Sequence, residues 1–319
     1  MRCKLWSLLL LMFVLILSGC EKVQPPLRVG TNLWPGYEPL FLARSLGFYE
    51  GASIRLINFS SASDAMRAYR HGAIDVGAFT ADEALQVAEF LPDQRIVLVC
   101  DFSAGGDVIM ARPRFRNMAE LRGRRIGVEQ TALGAYMLAR ALDISGMSVQ
   151  DVIVTPVPLE EHEKAYASGR VDAVVTFEPS RSHLLAAGAR QVFDSSQIPG
   201  EIVDVLLVRP ECIDASRGAI AILIDGWFQA LDYLRRKPQD AARRVAPRQR
   251  LTEEEFLKSL EGLRFPDRAE NIRRLGRSEG NMDEKLKKLQ EIMLENRLLS
   301  RFGALPVKLD DRFVLKGAK

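Results

Sequence analysis

The stretch Arg-Val-Gly-Thr at residues 28–31 recurs 97 positions later as Arg-Ile-Gly-Val at residues 125–128. The same offset relates Ala-Tyr-x-x-Gly-x-Ile-Asp at residues 68–75 to Ala-Tyr-x-x-Gly-x-Val-Asp at residues 165–172. A period of this length exceeds the roughly 20 to 50 residues of a solenoid repeat. The repeat therefore predicts two lobes of one architecture, and the aspartate that ends each second motif is expected to be a structural turn residue.

Short apolar runs alternate with longer segments in both copies. The runs are typical of buried strands, and the segments, which mostly end at glycine, are typical of helices. The predicted strands cover residues 27–31, 54–58, 76–79, 96–101, 125–128, 152–155, 173–177 and 203–208. The predicted helices cover residues 39–47, 62–71, 81–90, 133–145, 159–168 and 179–187. This alternation predicts an α/β fold in which each lobe is a mostly parallel sheet flanked by helices.

The chain after residue 208 shows helical patterns only. Residues 281–299, for example, place Met and Leu side chains on one helical face. We expect this tail to return to the first lobe, so that lobe I comprises residues 27–104 and 209–319. Lobe II then comprises residues 105–208, and the chain crosses between the lobes twice.

The first twenty residues are typical of an exported lipoprotein. A short basic start precedes the apolar run Leu5–Leu17, whose 13 residues are too few for a comfortable membrane span. The run ends in Leu-Ser-Gly-Cys, which resembles the lipobox of bacterial lipoproteins. We therefore expect residues 1–19 to be a signal peptide, Cys20 to carry lipid, and residues 20–26 to tether the lobes to the periplasmic face of a bacterial membrane. An ordinary signal peptide with a chance cysteine is the alternative.

The composition excludes several classes of function. Lys and Arg number 44 against 41 Asp and Glu, and they are scattered, so nucleic acid is not an expected partner. The four Cys and three His lack metal-ligand spacing, and His162 is expected on a solvated helix face, so no metal site is predicted. Two free thiols at Cys100 and Cys212 are favoured over a disulfide, which export would allow. No nucleophile elbow, P-loop or dinucleotide motif occurs, so neither catalytic residues nor a cofactor are expected.

A ligand site is expected in the cleft between the lobes. In open parallel sheets, ligands bind beyond the carboxyl ends of the strands, and two facing lobes would enclose that region. Gly105 and Gly106 suit a hinge at the first crossing. The candidate ligand-binding residues are Asn32, Trp34, Gly36, Tyr37, Ser61, Thr80, Asp82, Asp107, Glu129, Thr131, Tyr136 and Glu178.

Three kinds of chemistry motivate these candidates. Trp34 and Tyr37 flank a Pro-Gly turn, where a large ring could stack on a ligand ring or face an ammonium group. Thr80 and Glu83 have capping-box spacing and favour a structural role, whereas Asp82 is the stronger ligand candidate. Thr131 is expected to cap the helix that contains Tyr136, and free N–H groups there could hold an anion. Glu178 precedes a proline at a helix start and could accept from a ligand or complement the helix dipole.

The motif Val-Gly-Thr-Asn-Leu-Trp-Pro-Gly-Tyr at residues 29–37 resembles the opening of periplasmic solute-binding proteins of nitrate, sulfonate and taurine type ABC importers. That group includes relatives similar to binding proteins for thiamine-pyrimidine precursors. The resemblance continues through residues 72–76, 121–128 and 169–173. It implies a two-lobed type II fold that closes around a small solute and delivers it to a membrane permease with a cytoplasmic ATPase. We expect a monomer.

Two other functions remain as alternatives. One branch of the superfamily synthesises the pyrimidine, but the resemblance implies that this branch uses a cysteine-rich iron motif and an active-site histidine, which are not visible in this sequence. A sensor that reports the ligand to a membrane signalling partner would use the same lobes.

The charges near the predicted strand ends indicate the ligand class. The loops expected to face the cleft contain Asp82, Glu83, Glu129 and Glu178 and no Lys or Arg; they are residues 32–37, 60–61, 80–83, 129–132, 156–159 and 177–179. Burying an anion beside several carboxylates would cost several kcal/mol. An amine or an aminopyrimidine-like nitrogen compound is therefore the predicted ligand. A sulfonate, taurine or nitrate anion is the alternative, and it would depend on helix N–H groups near Thr131.

Overall fold

A computed structural model describes residues 25–129, 133–276, 280–300 and 303–315. Cys20 and Thr131, for which the sequence predicts lipidation and ligand binding, lie outside the described residues. Within those four stretches, no helix is long and apolar enough to cross a membrane.

The strands of the described chain form two sheets. The first sheet contains β1 (Leu27–Thr31), β2 (Ile54–Asn58), β3 (Val76–Thr80), β4 (Gln94–Ser103), β10 (Val203–Val208), β11 (Leu263–Arg264) and β12 (Val307–Leu309). The second contains β5 (Val108–Ala111), β6 (Arg125–Val128), β7 (Ile153–Pro156), β8 (Ala173–Thr176) and β9 (Arg190–Asp194). Their orders are β11-β4-β10-β3-β1-β2, with β12 beside β4, and β7-β6-β8-β5-β9.

Both sheets are mostly parallel and have corresponding layouts. In the first, β2, β1 and β3 are parallel, and β10 runs antiparallel between β3 and β4. In the second, β7, β6 and β8 are parallel, and β5 runs antiparallel between β8 and β9. The predicted two-lobed α/β fold is confirmed.

The repeat at offset 97 corresponds to equivalent contacts in the two lobes. The Arg28 backbone N–H donates to Asp75 Oδ2 at 2.9 Å, and the Arg125 N–H donates to Asp172 Oδ2 at 3.2 Å. Each arginine Nε also donates to the same carboxylate, at 3.0 Å in both lobes. Each aspartate thus connects its own strand start to the neighbouring strand, so the predicted structural role of Asp75 and Asp172 is confirmed.

The helices of the described residues include the six that the sequence predicts for the two lobes, within a few residues at their ends. They are α1 (Glu38–Ser45), α2 (Ala62–Arg70), α3 (Ala81–Phe90), α4 (Leu133–Ile144), α5 (His162–Ala167), α6 (Ser180–Ala186), α7 (Pro210–Ala215), α8 (Arg217–Arg236), α9 (Pro238–Val245), α10 (Glu253–Ser259), α11 (Arg268–Leu275) and α12 (Met282–Glu295). In the tail, α8 packs on α1 and α12 packs on α3. Both contacts place the tail helices on the first lobe. The expectation of helices alone after residue 208 is wrong, because the short strands β11 and β12 of the tail pair with β4 in the first sheet.

One lobe boundary differs from the expectation. Residues 203–208, which were expected in lobe II, form β10, and β10 is hydrogen-bonded to β3 and β4 of the first sheet. The second crossing therefore lies at residues 195–202, before β10. An apolar run that is buried on both faces fits the centre of either sheet, so its composition does not say which sheet it joins.

The two crossings are bonded to each other. The Ser195 Oγ lies 2.8 Å from the Ser103 Oγ, and the Gly105 N–H donates to the Ser195 Oγ at 2.7 Å. Gly105 has a φ of +117°, which a residue with a side chain rarely adopts. This arrangement of two short, paired segments is suited to a hinge. Cys100 is buried and Cys212 is half-buried, and both thiols are free.

Candidate functional site

A cavity lies between the lobes at the carboxyl ends of β1, β3 and β8. It contains about 540 Å³ of empty space, including the part that is open to solvent. Its polar lining consists of Asn32, Thr80, Glu83, Asp107, Glu129, His162, Thr176 and Asp204. Its aromatic lining consists of Trp34, Tyr37 and Phe177.

Trp34 and Tyr37 line this cavity and also hold carboxylates behind it. The Trp34 Nε1–H donates to Asp101 Oδ2 at 3.3 Å, and the Tyr37 hydroxyl donates to Asp204 Oδ1. Both rings are almost fully buried. A buried indole or phenol needs a polar partner, and the two carboxylates supply it. The two aromatic residues therefore shape the cavity and position the acids.

Gly36 lies between these groups without lining the cavity. A Cβ atom at this position would overlap Asp101 Oδ2 and Trp34 Nε1. The glycine leaves the space through which the indole reaches the carboxylate, so its role is to permit that hydrogen bond.

Asp101 and Asp204 form a buried carboxylate pair on adjacent strands. They are register partners on β4 and β10, and they lie within hydrogen-bond reach of each other. Burial raises the pKa of both groups, and the charge of Asp101 raises the pKa of Asp204 further. Two adjacent buried carboxylates share a proton because they cannot both ionise at low cost.

This pair is not among the residues predicted from the sequence, because the predicted site residues follow the strands, whereas Asp101 and Asp204 lie within them. The available signal was an acid inside an apolar run, as in the Val-Asp-Val-Leu-Leu-Val of residues 203–208. A carboxylate buried in a strand needs a hydrogen-bonding or charged partner.

Three further buried acids lie in or next to the cavity lining. Asp107 lines it at the first crossing, and burial raises its pKa to about 7. Glu83 Oε2 accepts from the Thr80 N–H at 3.0 Å, and Glu83 Oε1 accepts from the Leu133 N–H across the cleft at 3.3 Å. Burial, followed by the charge of Asp82, raises the pKa of Glu83. Asp82 is itself buried, although it does not line the cavity.

Glu129 connects the lobes at the cavity mouth. Its Oε1 accepts from the Ser63 N–H at 3.3 Å and from the Ser63 hydroxyl. Ser61 has a different role, because its side chain accepts from the Asp64 N–H at the start of α2. Ser61 therefore caps the helix and does not line the cavity.

Glu178 and Tyr136 are directed away from the cavity. Glu178 accepts from the Ser182 N–H at 3.1 Å and from Arg181 Nη1 at 3.3 Å, at the start of α6. The Tyr136 hydroxyl donates to Glu201 Oε2 at 2.7 Å, and Arg140 donates to the same oxygen. The candidates that line the cavity are Asn32, Trp34, Tyr37, Thr80, Asp107 and Glu129, and the described candidates that do not are Gly36, Ser61, Asp82, Tyr136 and Glu178.

The expectation of a solvated His162 is wrong. The ring is 1% exposed, with Nδ1 3.1 Å from the Thr176 Oγ1 and Nε2 3.2 Å from the Val157 carbonyl oxygen. Burial lowers the pKa of His162 to about 4, so the ring is neutral at pH 7. The neighbouring Glu160 and Glu161 are exposed in the turn before α5, so the polar sequence around His162 gives no indication of the helix face that packs on β8.

The charged side chains that line the cavity are acidic. Among the described residues, no Lys or Arg side chain lines the cavity, whereas Glu83, Asp107, Glu129 and Asp204 do. The described chain also contains no cluster of three or more His, Cys, Asp or Glu arranged to hold a metal ion. The arrangement suits an organic ligand that donates hydrogen bonds or carries positive charge.

Two mostly parallel α/β lobes with a cavity between them define a periplasmic-binding-protein-like fold. A family model described as NMT1-like matches residues 21–248, which is most of the chain. The chain therefore belongs to the NMT1-like family.

Solved structures with this fold include solute-binding proteins. The alkanesulfonate-binding protein SsuA of Xanthomonas axonopodis pv. citri, bound to MOPS, is 20% identical with a TM-score of 0.75 over 88% of this chain and 97% of that chain. A zinc-bound ligand-binding component of an ABC-type import system from Staphylococcus aureus is 13% identical with a TM-score of 0.76 over 93% of this chain and 99% of that chain.

Curated relatives match a shorter region. A binding protein of Brucella abortus is 28% identical over 160 residues, which is 48% of this chain and 48% of that protein. The chain thus spans about half the length of the curated relatives it matches.

Proposed function

We propose that this protein is the extracytoplasmic solute-binding subunit of an ABC importer. It captures a small organic solute between its lobes and delivers it to a permease with its ATPase. Membership of the NMT1-like family and the fold shared with an S. aureus import-system component support this role. The cavity between two hinged lobes supports it physically, because such a site encloses its ligand by lobe closure. We propose that the protein acts by binding, as a monomer, and not as an enzyme.

The ligand is proposed to be an amine or an aminopyrimidine-like nitrogen compound. The main support for this class is the cavity lining, which combines four carboxyl groups and the rings of Trp34, Tyr37 and Phe177 with no Lys or Arg among the described residues. A protonated amine would satisfy these carboxylates, and a flat ring could stack on the aromatic side chains. A sulfonate or nitrate would need cationic or N–H-rich contacts, and the Leu133 N–H already donates to Glu83.

Calorimetry with protein freed of bound ligand tests this assignment. Amines and aminopyrimidines are compared with taurine, alkanesulfonates and nitrate, using the wild type, Trp34→Ala and Asp107→Asn. Both variants should bind the nitrogen ligand at least about tenfold more weakly, because each loses a cavity contact worth about 1.4 kcal/mol or more. Glu178→Gln is the matched control, because Glu178 is buried but accepts from its own helix. Tight binding of a sulfonate or nitrate that neither cavity variant weakens would overturn the ligand class.

The membrane anchor is a separate proposal. Cys20 follows a 13-residue apolar run in a Leu-Ser-Gly-Cys motif, and lipid on this residue would hold the lobes at the periplasmic face of a bacterial membrane. Cys20→Ser should release the protein from membranes or leave its signal uncleaved, whereas Cys3→Ser in the signal should change neither property. Unchanged membrane association and processed mass in Cys20→Ser would exclude the anchor.

A further inference from the structure

Two carboxylates that line the cavity have an oxygen without a hydrogen-bond partner. These atoms are Asp107 Oδ2 and Asp204 Oδ2, which are buried and accept no hydrogen bond from any described residue. Both side chains are only 2% exposed. A buried carboxylate oxygen without a partner is costly, so each requires a proton or a ligand donor.

The groups that face these two acids are themselves acidic or neutral. Asp204 faces Asp101 on β4, Glu83 on α3, Asp107 at the first crossing and the hydroxyl of Tyr37. Asp107 faces Asp82 on α3 and the hydroxyl of Ser103 on β4.

The rest of the cavity adds no positive charge. Glu129 is acidic, and His162 is neutral because burial lowers its pKa to about 4. No described residue that lines the cavity carries a positive charge, so a proton or an entering cation must neutralise these acids.

We propose that Asp107 and Asp204 form a cation subsite that an organic ammonium or amidinium group enters in exchange for a proton. This inference rests on the proposed function, since it requires a solute cavity with a cationic ligand. In the free protein, protons on the carboxylate cluster satisfy the unpartnered oxygens. When the ligand binds, its charged N–H groups donate to Asp107 and Asp204, one O–H bond breaks, and that proton goes to solvent. The net charge of the filled cavity is unchanged by the exchange.

The Asp101 and Asp204 pair explains where the proton is held. The oxygens Asp101 Oδ2 and Asp204 Oδ1 accept from Trp34 and Tyr37, respectively. The other two oxygens, Asp101 Oδ1 and Asp204 Oδ2, accept no hydrogen bond from any described residue. One shared proton would satisfy both. A cation beside Asp204 then favours the ionised pair and makes this proton easier to lose.

The remaining lining favours an organic cation over a bare metal ion. Trp34, Tyr37 and Phe177 line the same cavity as the two acids, together with apolar side chains such as Met137 and Val175. A hydrated metal ion would leave this apolar surface unused. An ammonium or amidinium group on a hydrocarbon or aromatic body matches both kinds of surface.

Calorimetry with benzylamine, putrescine and benzamidine, which are all fully protonated at the pH used, tests the exchange. Each titration is run at about pH 6, below the raised pKa of Asp107, in two buffers with different heats of ionisation, so that the difference in heat counts the protons released. The wild type should release about one proton per bound cation. Its affinity for the cation should therefore increase by up to about tenfold for each unit by which the pH is raised toward the pKa of Asp107.

The variants distinguish a specific subsite from a general charge effect. Asp204→Asn and Asp107→Asn should each weaken cation binding at least about tenfold and lower the proton count, while Glu178→Gln should keep both values. Infrared spectra of the ligand-free protein should show a carboxylic acid C=O band that Asp204→Asn reduces.

The outcomes separate this inference from the proposed function. Cation binding with no proton release overturns the exchange and leaves the solute-binding role intact. Binding of taurine or nitrate alone overturns both the ligand class and the exchange. If none of the three cations binds, or if the infrared band is absent, the subsite is excluded and the importer role is unaffected.

Discussion

The indole ring of Trp34 meets the phenyl ring of Phe177 edge to face across the cleft, with the ring centroids 5.4 Å apart and the ring planes at 89°. Trp34 precedes α1 in lobe I, and Phe177 follows β8 in lobe II. An aromatic pair of this geometry contributes about 0.5 to 1.5 kcal/mol beyond its buried area. The contact therefore stabilises the arrangement in which the two lobes approach each other.

Phe177→Ala should shift the lobes toward an open arrangement. Loss of the aromatic contact removes about 0.5 to 1.5 kcal/mol from the closed state, which predicts ligand binding weaker by up to about tenfold. Small-angle scattering without ligand should give a larger radius of gyration than the wild type. Phe90→Ala is the control, because Phe90 is 60% exposed on lobe I and should change neither property. Equal affinity in both variants would contradict the role of the pair.

Ligand binding should close the lobes about the paired crossings. Gly105 and Ser195 are hydrogen-bonded at 2.7 Å where the two segments meet, so rotation there can change the cleft while each sheet stays rigid. Small-angle scattering should show a smaller radius of gyration at saturating ligand than in its absence. Superimposable profiles would argue against a closing hinge.

Gly36→Ala should damage both stability and binding. The added Cβ would overlap the groups of the Trp34 and Asp101 hydrogen bond, and leaving that buried carboxylate without the indole donor costs about 1 to 3 kcal/mol. Urea unfolding should show this loss, and calorimetry should show weaker ligand binding. Gly218→Ala on α8 is the matched control, because its Cβ would meet nothing within 4 Å and alanine favours a helix. A Gly36→Ala protein as stable as this control would contradict the steric argument.

Asp107→Asn should change how the stability of the ligand-free protein depends on pH. Burial raises the pKa of Asp107 from 3.8 to about 7, so the folded state holds this proton more tightly than the unfolded state does. The resulting stabilisation is fully present below pH 3.8 and is lost as the pH rises toward about 7. Asparagine cannot ionise, so the variant should gain stability relative to the wild type across this interval, by up to about 1.4 kcal/mol per pH unit.

Urea unfolding of both proteins at several pH values measures this difference. The comparison is necessary because His162 has the opposite dependence: its lowered pKa of about 4 gives stability that is present above 6.5 and is lost as the pH falls. His162 is present in both proteins, so its contribution cancels in the difference. A difference in unfolding free energy that does not change with pH would exclude an ionisable Asp107 in this range.

Local patterns in the sequence predicted the elements and much of the site. The offset of 97 places Asp75 and Asp172 at equivalent strand starts, and Glu83 accepts from the Thr80 N–H at the start of α3, as their capping-box spacing predicts. These features were predictable because each depends on residues close in sequence or on a repeated motif. The acidic character of the cavity was also predictable, since Asp107 and Glu129 both line it.

The sequence by itself determined two α/β lobes, the placement of their helices and an excess of acids near the strand ends. Only the tertiary structure decided that β10 joins the first sheet, that Asp101 and Asp204 lie side by side, and that His162 is buried. The physical reason is that periodicity encodes which face of an element is buried, whereas strand pairing uses backbone hydrogen bonds that every residue provides. The partner of a strand, and with it the neighbour of a buried carboxylate, is therefore set by the packing of the whole chain.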